Sequence, residues 1–160
     1  MAKAAADIDY VANLLELRAT YPTLTPRQRL SIIRQRLRDH HFGPNRLVTA
    51  VSAVEALARS LAMHVRARNK ADLARLYSSY KDRSPKTLVA DYLKTKGITD
   101  PSTHLGEDTW RLFCHAVDYR NLLAHECTYL GLDKFPSLIA ACDEVLEELV
   151  KQGQVRERGI

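Results

Sequence analysis

A chain of 160 residues is long enough for one domain that buries about two-thirds of its unfolded surface. Its composition, 46% hydrophobic and 27% charged residues, places it among ordinary globular proteins. The net charge of +5 is uneven, because residues 21–83 hold thirteen Lys and Arg against four Asp and Glu, whereas residues 84–160 hold nine against twelve. A basic half favours a polyanionic partner, nucleic acid first, although a solvated arginine-rich surface explains the charge equally well.

The hydropathy of the chain gives no expectation of a membrane protein. The longest apolar stretch, residues 47–65, is interrupted by Ser52, Glu55, Arg59 and His64. It therefore falls short of the roughly 18 uninterrupted apolar residues of a membrane-spanning helix. The first ten residues also contain no secretory apolar stretch. We expect a cytoplasmic location and no membrane partner.

The three cysteines, Cys114, Cys127 and Cys142, are odd in number, lie inside apolar helical patterns and form no CxxC pair. This pattern is typical of reduced core cysteines and not of a disulfide framework or a zinc site. His125 and Cys127 lie two positions apart, so on a helix they point in different directions and do not share a metal ion. We expect no metal site and no cofactor.

Helical periodicity runs through almost the whole chain, and no stretch alternates as a strand does. An apolar stripe predicts a first helix at 7–20, which the sequence TYPTL ends. The residues between 97 and 108 are predicted to form a loop, and the last residues a frayed tail. The chain is thus expected to be one all-α domain. Further helices are predicted at 26–41, 45–67, 71–80, 85–96, 108–129 and 134–151.

Capping signals mark the start of several of these helices. Thr25 and Gln28 match the capping-box pattern, with a proline at the first helical position. Ser84, also followed by a proline, predicts a second cap, and Asp108 is the expected cap of a third helix. The helix at 45–67 is rich in Ala, Val and Ser, and small residues let neighbouring helices approach closely, so we expect it at the centre of the domain.

Polar residues interrupt the otherwise apolar helix at 108–129, in the stretch DYRNLLAHE. Burying a polar group without a partner costs a few kcal/mol, so this set needs an explanation. At about 100° per residue, Asn121 and His125 fall on the same face as Trp110, whereas Arg120 falls on the flank. Asn121 can then hydrogen-bond the histidine four residues later and fix its tautomer.

These residue types suit the cleavage of a phosphodiester. Histidine is the side chain best matched to proton transfer near neutral pH, and arginine supplies a fixed charge and a forked donor for phosphate oxygens. RNA carries its own nucleophile, the 2′-hydroxyl, so a protein need only move protons and stabilise charge. With no metal-ligand cluster and no paired carboxylates in the sequence, the three residues indicate metal-free cleavage of RNA.

The spacing of arginine and histidine alone is a weak signal, since the chain contains five Arg-x(4–6)-His pairs. Only in the pair Arg120 and His125 does an asparagine directly follow the arginine. The stretch RNLLAH at 120–125 resembles the Arg-Asn-x-x-x-His signature of the HEPN superfamily, small helical domains of prokaryotic toxin and antiviral systems and of eukaryotic RNases. LVTAVSAVEALARSLA at 47–62 is similar to an earlier HEPN helix with a Ser/Ala-rich run and a glutamate. The resemblance spans about residues 45–150, and only the short motif is specific.

The resemblance implies an up-and-down bundle of four to five core helices, which we place at residues 45–151. Residues 1–44 are then a helical extension packed on the core, and residues 152–160 a flexible tail. The resemblance also implies a homodimer with both motifs at a shared cleft, and a metal-independent endoribonuclease that leaves a 2′,3′-cyclic phosphate. An enzyme of this toxin or defence type is expected to have an antitoxin or another regulatory partner protein.

Carried onto this chain, the resemblance makes His125 the general acid or base and Arg120 the residue that stabilises the phosphorane. Asn121 would orient the histidine or bind phosphate, and Glu55 would be a supporting polar residue of the same cleft. A structural interpretation also remains open. In it the three motif residues only tie two helices together, and Glu55 pairs with Arg59 as a routine helix ion pair.

Weaker candidates for RNA contacts lie outside the motif. In the stretch RQRLSIIRQRLRDHH, Arg27, Arg34 and Arg38 recur at helical spacing, which indicates either phosphate binding or a solvated face. Tyr119 and Tyr129 are candidates for stacking on bases of single-stranded RNA, although tyrosines at helix ends more often pack at the rim of a core.

Three functions follow from these observations. The first is a metal-free RNase that acts on RNA as a homodimer. The second is a non-catalytic HEPN module that binds RNA, a nucleotide or a partner protein, since many members of the superfamily bind without cutting. The third is a helical dimerisation adaptor with no role in nucleic-acid binding.

Overall fold

The computed structural model describes residues 9–38, 44–126 and 133–156. Within these ranges the chain forms eight α-helices and one short 3-10 turn, without a strand. The prediction of an all-α protein is confirmed. The elements are α1 (Tyr10–Thr20), the 3-10 turn (Tyr21–Thr23), α2 (Pro26–Leu37), α3 (Pro44–Arg66), α4 (Lys70–Tyr80), α5 (Pro85–Thr95), α6 (Pro101–Leu105), α7 (Glu107–His125) and α8 (Phe135–Gln152).

Helix α3 lies at the centre of the bundle, as its small residues predicted. It packs against α2, α4, α5, α7 and α8, and its Val51, Val54, Leu57 and Ala58 are completely buried. Contrary to expectation, the stretch Asn45–Arg66 has the length and mean hydropathy (1.2) of a candidate membrane span. Since 56% of its apolar window is buried inside the protein, its apolar residues serve to pack the bundle.

The rest of the core comes mainly from α5, α7 and α8, which contact α3 on different sides. Helix α8 has its buried residues at intervals of three and four, as an amphipathic helix requires. These residues are Phe135, Leu138, Ala141, Cys142, Val145, Leu146 and Leu149. Leu30 and Ile33 of α2 are buried in the same core, so α2 is packed on the helices that follow it.

Helix α1 contributes little to this core. Val11 and Leu15, which belong to the apolar stripe expected at 7–20, are exposed. The contacts of α1 are mainly with the 3-10 turn that follows it. The N-terminal region is instead joined to the bundle by the hydroxyl of Ser60 on α3, which donates to the main-chain oxygen of Leu24 at 3.3 Å.

Two of the predicted helix starts are confirmed by their hydrogen bonds. The amide of Gln28 donates to Thr25 Oγ1 at 3.2 Å, and the amide of Thr25 donates to Gln28 Oε1 at 2.9 Å, which is the reciprocal pair of a capping box. Ser84 Oγ accepts from the amide of Thr87 at 3.2 Å and caps α5. Each pair satisfies amides that the first turn of a helix leaves without an intrahelical partner.

Between 97 and 108 the sequence interpretation was wrong in two respects. This segment is not a continuous loop, because α6 begins at Pro101 with Asp100 as its cap. The Asp100 carboxylate accepts from the amide of Ser102 at 3.1 Å, so the cap and the proline at the first helical position were the signals. Asp108 does not cap α7, which begins one residue earlier, at Glu107.

The ends of the last two helices also differ from expectation. Helix α7 ends at His125, with Glu126 as its C-cap, whereas the sequence predicted a helix to 129. Tyr129, a predicted RNA contact, lies outside the described residues. After α8 the amide of Val155 donates to the main-chain oxygen of Val150 at 3.1 Å, and Val155 packs against the core. The start of the expected tail is therefore folded back onto α8.

The Ser84 cap offers a test of local stability. We expect Ser84→Ala to lower the free energy of unfolding by about 1 kcal/mol, because the amide of Thr87 loses its acceptor. Ser84→Asp keeps an acceptor and should stay close to the parent. Ser79→Ala, at an exposed position on α4, is the matched control. Urea denaturation measures all three, and equal losses at Ser84 and Ser79 would show that the cap contributes nothing.

The cysteines that the structure describes are consistent with a reduced core. Cys142 is buried in α8, and burial raises the pKa of its thiol to about 12, with Asp143 adding to the rise and Arg120 opposing it. Cys114 is half-buried, and burial raises the pKa of its thiol as well. Both thiols are therefore protonated near neutral pH. Cys127 lies outside the described residues.

We expect Cys142 to resist iodoacetamide in the native protein at about pH 8.5 and to react in urea, because only the thiolate is nucleophilic. Mass spectrometry of tryptic peptides measures both rates, with the less buried Cys114 reacting faster in the native state. Since folding raises the pKa of the Cys142 thiol, between about pH 9 and pH 12 the folded chain keeps a proton that the unfolded chain releases. The stability that depends on this proton is thus lost as the pH rises from about 9 to about 12. Equal rates for Cys142 in the two states would contradict its burial.

Candidate functional site

The direction of Arg120 is set by the phase of α7. The buried residues of this helix are Phe113, Ala116 and Val117. Arg120 follows Ala116 by four positions and Phe113 by seven, so its side chain lies on the same face, towards the core. The sequence interpretation had placed Arg120 on a flank of the helix, and in this respect it was wrong.

The guanidinium of Arg120 is bound by a carboxylate from another helix. Its Nη1 lies 3.0 Å from Oε2 of Glu55 on α3, and the side chains of Arg120 and Glu55 are only 17% and 20% exposed. The second oxygen of the same carboxylate, Oε1, lies 2.6 Å from Nη2 of Arg59, whose side chain is 16% exposed. Glu55 thus makes both contacts considered from the sequence, the helix ion pair and the contact with the motif.

This ion triad sits where three helices meet. Arg120 comes from α7, Glu55 and Arg59 come from α3, and the charge of Arg120 also acts on the thiol of Cys142 in α8. A partly buried triad of this kind contributes little net stability compared with apolar residues, but removal of the shared carboxylate leaves both arginines desolvated and unpaired. Its clearest consequence is geometric, since it ties α7 to α3.

Asn121 is bonded to Arg120 and not, as we expected, to the histidine. Its Oδ1 accepts from Nε of Arg120 at 3.0 Å. No bond to the imidazole of His125 is found among the residues that the structure describes. Asn121 is exposed, and its side-chain oxygen holds the arginine.

His125 is the last residue of α7, and its side chain is exposed. It lies about one turn beyond Asn121, on the solvent side of the helix. Leu122, a large apolar residue on the same side, is 48% exposed. From Arg120 to His125 the helix turns by roughly 140°, so the guanidinium points inwards while the imidazole points outwards. One chain therefore presents Asn121 and His125 together, with Arg120 behind them.

Of the weaker candidates, the arginines in and directly after α2 share a surface. Arg27, Arg34 and Arg38 line one cavity of about 570 Å³. Arg34 also forms an ion pair with Glu147 of α8, its Nη1 lying 2.7 Å from the carboxylate oxygen Oε1. Tyr119 lines a different cavity of about 280 Å³, together with His115 and Lys134. The structure thus separates Tyr119 from the arginine surface.

The other described histidines have local roles or are open to solvent. Nδ1 of His64 lies 2.9 Å from the main-chain oxygen of Ser60, as expected for a satisfied helix histidine. Nε2 of His104, for which the sequence gave no positioning contact, lies 2.7 Å from Oε1 of Glu148 on α8. His115 is exposed on α7. No group of three His, Cys, Asp or Glu side chains in the described part of the chain is arranged to hold a metal ion.

Sequence reasoning found the pairing of Arg59 with Glu55 but not its aromatic neighbour or the second arginine nearby. Its guanidinium lies 5.9 Å from the ring centroid of Tyr77 on α4, and that of Arg29 on α2 lies 5.8 Å from the ring centroid of Tyr21. All four residues line one cavity of about 290 Å³. The individual residue types were visible in the sequence, but no spacing along the chain joins them.

Comparisons of this chain with protein-family models, with curated proteins and with solved structures found no match. The likeness to HEPN domains therefore rests on the residues at 47–62 and 120–125. Any function has to be inferred from the chemistry and positions of the side chains described above.

Proposed function

We propose that the protein is a metal-independent endoribonuclease of the toxin or defence type that acts as a homodimer. The observation that carries the proposal is the open end of α7. There the exposed imidazole of His125 lies about a turn from Asn121, which is itself bonded to Arg120. The motif thus combines a proton-transfer group, an amide and a fixed cation at one helix end, and this combination suits phosphodiester cleavage.

In the proposed reaction the RNA supplies the nucleophile. The 2′-hydroxyl attacks the adjacent phosphorus, and a bond from phosphorus to O2′ forms as the bond to O5′ breaks. The 2′-hydroxyl gives its proton to the imidazole of His125 in one copy of the chain. The leaving O5′ takes a proton from the imidazole of His125 in a second copy. The products are a 2′,3′-cyclic phosphate and a 5′-hydroxyl. Asn121 and Arg120 would stabilise the charge on the phosphorane oxygens.

A homodimer would supply the second imidazole that the proposed reaction needs. The proposed step uses two imidazoles, and each copy of the motif contributes one, His125. A second copy of His125 facing the first would place both imidazoles on one phosphate. Leu122 supports this arrangement, because an exposed leucine beside His125 and Asn121 favours contact with another apolar surface. We place the dimer contact at this end of α7.

The charge of the chain supports RNA as the substrate. Arg27 on α2 and Arg38, directly after α2, are exposed and line the same cavity, where they are available to phosphates. In this proposal they contribute salt-dependent affinity, whereas sequence preference comes from elsewhere. An enzyme of this kind in the cytoplasm would need restraint, so the proposal includes an antitoxin or another regulatory protein as partner.

A second function is favoured by the ion pair of Arg120. Because Glu55 neutralises this guanidinium and both side chains are mostly buried, Arg120 is well placed for a structural role. The protein would then be a non-catalytic HEPN module that binds RNA, a nucleotide or a partner protein. It would bind RNA more weakly as salt increases and would release no products on long incubation.

The deciding experiment is a cleavage assay of purified protein on labelled RNA in EDTA, after light scattering has established the oligomeric state. We expect a dimer and products that end in a 2′,3′-cyclic phosphate, identified by mass spectrometry. Binding of RNA without products would support the non-catalytic module. Unchanged RNA mobility at micromolar protein would contradict the nuclease and any RNA-binding module, and would favour the dimerisation adaptor.

A further inference from the structure

A second basic cavity lies between the N-terminal region and the bundle. It has a volume of about 290 Å³ and is separate from the cavity that Arg27, Arg34 and Arg38 line. Among the described residues that line it there is no Asp or Glu. Its lining is Leu17, Arg18, Tyr21 and Pro22 from α1 and the 3-10 turn, Arg29 from α2, Ala56, Arg59, Ser60 and Met63 from α3, and Tyr77 from α4.

Two of the arginines that line this cavity have an N–H donor without a hydrogen-bond partner among the described residues. Nε of Arg29 and Nε of Arg59 are both buried, and neither has a hydrogen-bond partner among the described residues. A buried donor without an acceptor costs about 1–3 kcal/mol, and more when the group is charged. Burial lowers the pKa of Arg29, and the positive charge of Arg59 lowers it further. The two guanidiniums are thus desolvated and repel each other.

The partners of these arginines do not remove the excess charge. Arg29 donates through Nη2 to the main-chain oxygen of Tyr21, which is neutral. Arg59 pairs with Glu55, but the same carboxylate also binds Arg120. Two arginines therefore share one negative charge, and Arg29 has no carboxylate partner among the described residues.

We infer that this cavity binds a small phosphomonoester, with the phosphate held between Arg29 and Arg59. A phosphate dianion supplies the charge and the several acceptor oxygens that two forked guanidiniums require. Arg18, exposed at the rim, adds a third cation. Leu17, Pro22 and Met63 offer apolar surface for the organic part of the ligand, and the volume suits a single phosphorylated ring more than a polymer.

This site goes beyond the proposed nuclease, and its test does not involve RNA cleavage. The probe is phenyl phosphate, titrated calorimetrically into the full chain, with phenol and inorganic phosphate as comparisons. We expect phenyl phosphate to bind at least about tenfold more tightly than phenol and inorganic phosphate to compete with it. Failure of both phosphates to bind at about 10 mM would overturn the inference.

Variants of the lining make the test specific. Arg29→Met should weaken binding of phenyl phosphate by about tenfold or more, and Arg18→Ser by a few-fold, whereas Arg111→Ser on α7 should leave it unchanged. If Arg29→Met does not fold, Arg29→Lys takes its place, since it keeps the charge and loses the fork. If the folded variants at Arg29 and at Arg18 both bound phenyl phosphate as tightly as the parent, the phosphate would not lie in this cavity and the inference would be wrong. Competition by 5′-phosphorylated but not by 5′-hydroxyl RNA would assign the cavity to an RNA end and overturn the small-ligand inference.

Discussion

Replacement of His125 by alanine is expected to reduce RNA cleavage by about 100-fold or more, without a measurable change in stability. The loss follows from the proposed role of the imidazole in proton transfer, which contributes about 10² to 10⁴ to the rate of such reactions. The unchanged stability follows from its position, because His125 is exposed at the end of α7. Initial rates on a labelled RNA and urea denaturation measure the two quantities.

The chain offers a matched control for this variant. His115 is an exposed histidine on the same helix and is not part of the motif, so His115→Ala should keep full cleavage. All reactions contain EDTA, which removes contaminating metal-dependent nucleases. The assignment of His125 would be falsified if His125→Ala, correctly folded, cleaved RNA as fast as the parent.

The largest effect on stability is expected for Glu55. We predict that Glu55→Ala lowers the free energy of unfolding by about 2–4 kcal/mol, because it leaves Arg59 and Arg120 partly buried without their shared carboxylate. This loss extends below the roughly 3–5 kcal/mol expected when a fully buried pair is broken, because all three side chains retain some exposure. Arg120→Met should cost less, because Glu55 then still has Arg59.

Urea denaturation of Glu55→Ala, Arg120→Met and a control decides the order. Glu16→Ala, at an exposed position on α1, should stay within about 0.5 kcal/mol of the parent. If Arg120→Met cost more than Glu55→Ala, the carboxylate would not be the shared member of the triad. If Arg120→Met remained stable but lost cleavage, the arginine would act in the reaction as well as in packing.

The helices were largely predictable because their signals are local. The capping box of Thr25 and Gln28 and the cap of Ser84 both involve residues three positions apart, and both formed as expected. The central place of α3 followed from its small residues. The missed helix α6 had the same kind of signal in Asp100 and the proline after it, but the surrounding glycines and threonines favoured a loop interpretation.

The motif residues were identified, but their directions were only partly correct. Angles measured from Trp110 placed Arg120 on the flank of α7, whereas angles measured from the buried Phe113 and Ala116 place it on the inward face. The carboxylate that makes an inward arginine possible comes from Glu55, 65 positions away. Such a partner cannot be read from periodicity, because it depends on how α3 and α7 pack. The same is true of Arg34 with Glu147 and of the tyrosine rings beside Arg29 and Arg59 in the second basic cavity.

The salt bridge between α7 and α3 has a consequence for the end of α7. Apolar contacts are not directional, whereas a bond of 3.0 Å from Arg120 to Glu55 requires one particular rotation of α7 about its axis. Because His125 belongs to the same helix, the direction in which it projects from the axis of α7 is fixed as well. Whatever binds at this end of α7, a second copy or a strand of RNA, therefore approaches the histidine on a side of the bundle that folding has already fixed.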